Sequence, residues 1–181
     1  MLARRSLTLG GLAALGMTAA GCATRTPARL EADGSYCRRL GRRPRQKVAC
    51  TPGSVPPASA DADAKRFEPL PGALGLYVLR HRWLDAHRVV ELQVDGRPVA
   101  ATVPASLVRV ALAPGRHSLA VEWDGQRTEL SIEGAPGDVH AIELVGSSWF
   151  WGDRFVWQPS TVDDLRRRAA GTRLVADVSL R

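Results

Sequence analysis

The chain has 181 residues, with 25 Lys and Arg against 18 Asp and Glu, so its formal net charge at pH 7 is +7. This length fits one domain with an appended segment and is short for two domains. The positive charge favours attraction to anionic lipids and polymers, but it carries no information about the fold.

The first 21 residues have the order of properties of a bacterial export signal. Arg4 and Arg5 form a positively charged start, and residues 7–20 are mostly apolar but too few for a membrane span of about 20 residues. Small side chains at 19–21 then lead directly to Cys22. This order resembles the lipobox of bacterial lipoproteins, which implies removal of the leader and acylation of Cys22. Several acyl chains make attachment to a bilayer effectively permanent, whereas a single chain binds reversibly.

The same segment predicts an address in the cell envelope. Ala23 follows Cys22, whereas aspartate at that place retains lipoproteins at the inner membrane in enteric-type sorting. The resemblance therefore implies the outer membrane, with the protein facing the periplasm. Arg4 and Arg5 also resemble a twin-arginine motif, so the sequence leaves the general secretory and twin-arginine routes both open.

Two further cysteines enclose a basic segment. Cys37 and Cys50 form an even pair in an exported chain, which predicts a disulfide, and their spacing without a nearby His argues against zinc. Two interpretations of the basic segment stay open: a docking loop for a phosphate-bearing lipid or polymer, and a solvated run of charge. The candidate contacts with an anionic surface are Arg38, Arg39, Arg42, Arg43, Arg45 and Lys47.

The segment 51–72 is rich in Pro, Ala, Ser, Gly and Asp. Five prolines in this stretch predict that regular structure is blocked. We therefore expect residues 22–72 to form a disordered tether that carries the basic Cys37–Cys50 loop and separates the anchor from a folded domain.

Residues 73–181 predict an antiparallel β-sandwich of about seven to nine short strands. Short β-branched runs alternate with turn sequences, of which Asp95–Gly96 and Asp124–Gly125 are the clearest hairpin turns because both residue types tolerate positive φ. The predicted strands are 76–80, 89–94, 97–103, 107–112, 117–123, 127–132 and 139–145.

One helix is predicted near the C-terminus. Ser160 or Thr161 caps it, acidic residues occupy its first turn, arginines occupy its last turns and Gly171 closes it. Its small apolar face should pack on the sheet. A last strand is expected from Arg173 to Leu180.

Several of these elements together resemble the small bacterial lipoproteins that carry domain of unknown function 2846. The resemblance rests on the strand 77–80, the Val94–Gly96 hairpin, the turn at 112–117 and the late helix–strand unit. The Asp-Gly and Pro-Gly hairpins are also similar to PEGA-type surface β modules. Both resemblances imply a β-sandwich with an interaction role, and neither implies catalytic residues.

The best candidate binding site is aromatic. Five of the ten aromatic residues fall within nine positions, with a Gly, an Asp and an Arg between them. We expect a hairpin around Gly152–Asp153. Two interpretations stay open: the rings fill the core, or some of them stack on a sugar or peptide while an arginine pairs with an anionic group. The candidate partner-binding residues are Trp149, Trp151, Arg154 and Trp157.

No pattern of a catalytic site is present in the sequence. It contains no Gly-x-Ser-x-Gly elbow, no phosphate-binding Gly-rich loop and no His-Glu-x-x-His motif, and its four histidines are scattered. We therefore expect no enzyme, no metal and no cofactor, and export argues against a nucleic-acid partner. The leading hypothesis is a lipid-anchored protein that binds an envelope protein or glycan. The second is a structural protein whose basic loop touches anionic lipid or lipopolysaccharide, and an enzyme is third.

Overall fold

The computed structural model describes residues 29–40, 44–81, 87–150 and 152–181. The predicted signal segment and Cys22 lie outside these ranges. The described part is mainly β, as predicted. Its elements in chain order are β1 (Arg29–Leu30), β2 (Ser35–Leu40), β3 (Lys47–Ser54), α1 (Ala58–Ala64), β4 (Leu74–Arg80), β5 (Val90–Val94), β6 (Arg97–Thr102), β7 (Ser106–Leu112), β8 (Gly115–Trp123), β9 (Gln126–Gly134), β10 (Val139–Trp149), β11 (Gly152–Ser160), α2 (Val162–Ala169) and β12 (Arg173–Leu180).

The strands form three sheets. A five-stranded sheet has the order β11-β10-β4-β7-β12, a four-stranded sheet the order β6-β5-β8-β9, and a small sheet the order β1-β2-β3. Most pairs are antiparallel, as expected of the sandwich, but β4 with β10 and β7 with β12 are parallel. The strands of each parallel pair are far apart in the chain, because neighbouring parallel strands can be joined only by a long crossover connection.

The main core lies between the five-stranded and four-stranded sheets. Alternate residues of β4, β5, β7, β8 and β10 face each other there and are almost wholly removed from water. Burial of one such Val, Leu or Ile contributes about 1.5–3 kcal/mol. The central strand β4 is buried over all seven residues because its other face is also covered. That second cover comes from the two helices.

The helix α2 confirms the predicted C-terminal helix. The Thr161 side chain accepts a hydrogen bond from the Asp164 backbone N–H over 3.1 Å, which satisfies one free donor of the first turn. Leu165 and Ala169 are fully buried against the five-stranded sheet, with Tyr77 and Leu79 of β4 in the same cluster. The domain therefore has three layers: helices, a five-stranded sheet and a four-stranded sheet.

The described part of the predicted tether is folded, which corrects the expected boundary. The strand β3 continues to Ser54, and residues 58–64 form α1, whose Asp61 accepts from the Leu174 backbone N–H over 2.6 Å. The prolines of this segment fall before and after 58–64, and that stretch is rich in Ala, the best helix former. Pro57 precedes the first turn, where a missing N–H costs nothing.

The predicted Cys37–Cys50 disulfide is present, and it joins β2 to β3 at directly paired positions. This hairpin is attached to the sandwich rather than suspended on a linker. The buried Tyr36 hydroxyl donates to the Ala105 carbonyl over 2.9 Å, and Tyr36 and Ala49 belong to the main core. Desolvation of this phenol raises the pKa of Tyr36 to about 12, so it stays a donor at any ordinary pH.

Candidate functional site

The aromatic segment forms the hairpin of β10 and β11, with a turn two residues earlier than expected. Trp149 pairs with Gly152, so the chain turns after Trp149, at Phe150, rather than at Gly152–Asp153. The φ of Gly152 is 135°, which a side chain rarely permits. Trp149 is 62% exposed and Phe150 101% exposed, whereas Trp151 lies outside the described residues.

The other rings of this segment serve the core. Phe155 is buried and packs edge-on against Trp123 with ring centroids 5.0 Å apart, while the Arg80 guanidinium lies 4.8 Å from the Phe155 centroid. Trp157 is half-buried at the core edge, and its indole N–H donates to the Thr128 carbonyl over 3.3 Å. The first interpretation is correct for Phe155, which fills the core, whereas Trp149 is exposed and the polar atom of Trp157 is engaged within the domain.

A groove of about 530 Å³ lies beside this hairpin, where the outer strands β9 and β11 meet. Ser147 pairs with Arg154, and Trp149 pairs with Gly152, so these residues project from one face of the hairpin. Arg154 makes no ion pair with any residue that the structure describes. The groove is lined by Trp123, Gln126, Arg127, Thr128, Ser147, Trp149, Gly152, Asp153, Arg154, Phe155 and Val156.

A second depression of about 340 Å³ lies on the other side of Trp123, next to the disulfide. Its lining includes Val48 and Val89, which are both about half exposed. Because Trp123 borders both concavities, the two lie at the same end of the sandwich. We call this end, with the β8–β9 turn, the β10–β11 turn and the starts of β3 and β5, the tip end.

Arg88 holds the tip end together through two carboxylates. Its Nε pairs with the Asp153 carboxylate, and a terminal guanidinium nitrogen lies 2.9 Å from Asp124 Oδ1. Burial acts to raise the pKa of Asp153, but hydrogen bonds from Ser148 and Arg88 outweigh it and hold that pKa below its ordinary value. Asp153 is therefore ionised at neutral pH, and Arg88 offsets its charge.

The basic hairpin of β2 and β3 reaches the same end. Arg45 and Lys47 are exposed, and neither pairs with an acidic side chain in the part of the chain that is described. Burial is the main cause that lowers the pKa of His87, and the Lys47 charge adds to it. Lys47 directly precedes Val48, which lines the second depression. Arg38 is half-buried and Arg39 pairs with Glu31 at 2.7 Å. Arg42 and Arg43 lie outside the described residues.

One buried polar cluster has no counterpart in the sequence analysis. Glu143 on β10 is fully buried, and its carboxylate lies 2.8 Å from His81 Nδ1 and pairs with Arg168 of α2. No local pattern predicts this cluster, because the parallel pairing of β4 with β10 brings His81 and Glu143 together. The pairing of Arg168 joins α2 to the sheet, which gives the cluster a structural role.

The other histidines do not form a site with it. His117 Nδ1 lies 2.7 Å from Asp95 Oδ2, and His140 Nε2 lies 3.0 Å from the Glu133 carbonyl. Within the described ranges, no three His, Cys, Asp or Glu side chains are grouped as metal ligands.

A scan against protein-family models finds no match, and searches of curated proteins and of solved structures find none at a significant level. Among the described helices, none has the length and apolarity needed to cross a bilayer.

Proposed function

We propose that this chain is a non-enzymatic, lipid-anchored envelope protein whose β domain binds a protein or glycan partner at the tip-end groove. One observation carries the proposal: the largely exposed Trp149 lies in a groove with Arg154, a cation that no described acid neutralises. Trp and Arg are the residues most enriched at energetically important contacts. The resemblances to domain of unknown function 2846 and to PEGA modules point to the same broad role.

The groove offers chemistry for recognition rather than for reaction. The Trp149 ring supplies a flat apolar surface for stacking, and Arg154 supplies a planar donor set for an anionic group. Gln126, Thr128 and Ser147 add side chains that both donate and accept hydrogen bonds. This combination suits a glycan or a polar peptide segment.

The location is part of the same proposal. Acyl chains on Cys22 would hold the protein at the outer membrane, facing the periplasm. Mass spectrometry of the mature protein tests this step separately: residue 22 should be the first residue and should carry diacylglycerol and an amide-linked acyl chain. A free thiol at Cys22, or an intact leader, contradicts it.

Crosslinking in intact envelopes, followed by capture, tests the partner-binding step. Trp149→Ala combined with Arg154→Ala should remove the captured partner. Leu30→Ala is the matched control, because Leu30 is also an exposed apolar residue but lies on β1. Equal capture by the double variant and the wild type would show that the groove is not the binding site.

A second candidate function is contact with anionic lipid or lipopolysaccharide through the basic hairpin. It is favoured because Arg45 and Lys47 are exposed and unpaired among the described residues. Replacing both by Gln should lower binding to lipopolysaccharide, and the effect should shrink at high salt. Arg97→Gln is the control, since Arg97 lies in the β5–β6 hairpin away from the tip end. Equal loss in the control would indicate a general effect of net charge.

A further inference from the structure

Exposed apolar side chains are concentrated at the tip end. Among the described residues, six large apolar side chains are exposed, and five of them line the two concavities or lie in the β10–β11 turn. The sixth is Leu30 on β1. The five are Val48, Val89, Trp149, Phe150 and Val156.

Phe150 is the most exposed of them and has a specific position. It occupies the turn of a hairpin whose last pair is Trp149 with Gly152, so it projects beyond the strands. It does not line the groove. Because Phe150 projects from a convex turn, no part of its own domain covers the ring. The fluid hydrocarbon of a lipid bilayer could surround such a ring on all sides. Indole rings favour the boundary between apolar and polar layers, because they present an apolar body and one polar atom.

The charges near the tip suit an anionic layer. Arg154 lies two residue pairs behind the last pair of the hairpin, a distance of roughly 7 Å along the strand. Lys47 is exposed at the same end. Arg88 pairs with both Asp124 and Asp153, and Arg127 with both Glu122 and Glu129, so each group keeps one net negative charge. The three cations Arg45, Lys47 and Arg154, unpaired among the described residues, exceed these two charges. The unpaired charges at the tip end are therefore positive. Arg154 lies far enough behind the turn to meet lipid headgroups when the rings of the turn are inserted.

We propose that the β10–β11 turn inserts Phe150 and Trp149 into the interfacial layer of an anionic phospholipid bilayer, with Arg154 and Lys47 at the level of the phosphates. This inference rests on the membrane location in the proposed function and adds a second, reversible contact. It places the tip end against a membrane, with the groove opening at the headgroup surface.

An environment-sensitive fluorophore on Phe150→Cys tests the insertion. The full chain is reconstituted into vesicles of phosphatidylethanolamine and phosphatidylglycerol, and the emission of the label is recorded. Ala135→Cys carries the control label, because Ala135 is exposed and follows β9 at the end opposite the tip. Cys22 is blocked by its acyl chains, or is replaced by Ser if mass spectrometry finds a free thiol. Circular dichroism checks the fold of each labelled variant.

The expected result is a blue shift at position 150, with quenching by brominated acyl chains, and neither change at position 135. Arg154→Gln should weaken the quenching at least twofold, and vesicles of phosphatidylcholine alone should do the same. The inference is overturned if the label at 150 stays in water on vesicle-bound protein, if the protein leaves the vesicles, or if the label is shielded only when a protein partner is added. Partner capture by the groove is measured independently, so the failure of either proposal is visible alone.

Discussion

The indole N–H of Trp123 donates to the backbone carbonyl of Asp153 over 2.9 Å, and this bond joins β8 of one sheet to β11 of the other. The Trp123 side chain is buried and also packs against Phe155. The buried Trp123 therefore fixes the position of the aromatic hairpin. The exposed turn of this hairpin extends beyond that contact.

Trp123→Phe should lower the free energy of unfolding by about 1–3 kcal/mol, because it leaves the Asp153 carbonyl without its buried donor. Urea unfolding under non-reducing conditions measures the change. Trp157→Phe is the matched control: its bond to Thr128 is longer, at 3.3 Å, and the ring is less buried, so its loss should be smaller. A larger loss in the control would contradict the assigned role of Trp123.

Stability at acid pH should depend on Asp153. Its folded-state pKa is lowered: burial opposes ionisation, but Ser148 and Arg88 favour it more strongly. The stabilisation is therefore complete above the unfolded pKa of about 3.9 and is lost as the pH falls through the folded value. Asp153→Asn should reduce Tm at about pH 6, with a deficit that shrinks toward about pH 2. A deficit that is constant with pH would assign the effect to packing.

The ion pair of His117 and Asp95 should have the opposite pH dependence, since it should stabilise the fold at low pH and less at high pH. Burial opposes protonation of His117, but hydrogen bonds to Asp95 and to the Ala113 carbonyl outweigh it and raise its pKa. Its stabilisation is complete below the unfolded pKa of about 6.5 and is lost as the pH rises through the folded value. Asp95→Asn keeps a residue that tolerates the φ of 51° at this turn. An NMR titration should show a lower His117 pKa in this variant, and an unchanged value would refute the pairing.

Two neighbouring arginines on α2 should differ in their effect on stability. Arg168→Ala removes a partner of the fully buried Glu143 and should cost about 2–3 kcal/mol. Arg167→Ala breaks only a pair with the partly exposed Asp164 and should cost below about 1 kcal/mol. Chemical denaturation of both variants makes the comparison, and similar losses would remove the special role of Glu143.

Much of the sandwich was predictable because its determinants are local. The run 107–112 is apolar except for Arg109, is rich in Val and Leu and lies within β7, and Asp124–Gly125 forms the expected turn with positive φ at both residues. The helix α1 contradicts the prediction from the surrounding prolines, because the stretch 58–64 between them contains no proline and is rich in alanine, the best helix former.

The candidate site was only partly predictable. Composition alone identified the aromatic segment, but it does not distinguish Phe155, which is buried, from Phe150, which is wholly exposed. The register of the hairpin decides this, because a shift of one residue exchanges the two faces of a strand. The observed turn lies two residues before the expected one, so the sequence did not predict the register.

The amino-acid sequence by itself determined the disulfide, the C-terminal helix and most strands and turns from β4 onward, since each depends on neighbours in the chain or on a pair of cysteines. Tertiary structure alone decided that β4 pairs in parallel with β10, that Glu143 is enclosed by His81 and Arg168, and that the basic hairpin lies at the same end as Trp149. These relationships join residues far apart in the chain. Their positions follow from how the layers bury apolar surface together, which no single segment specifies.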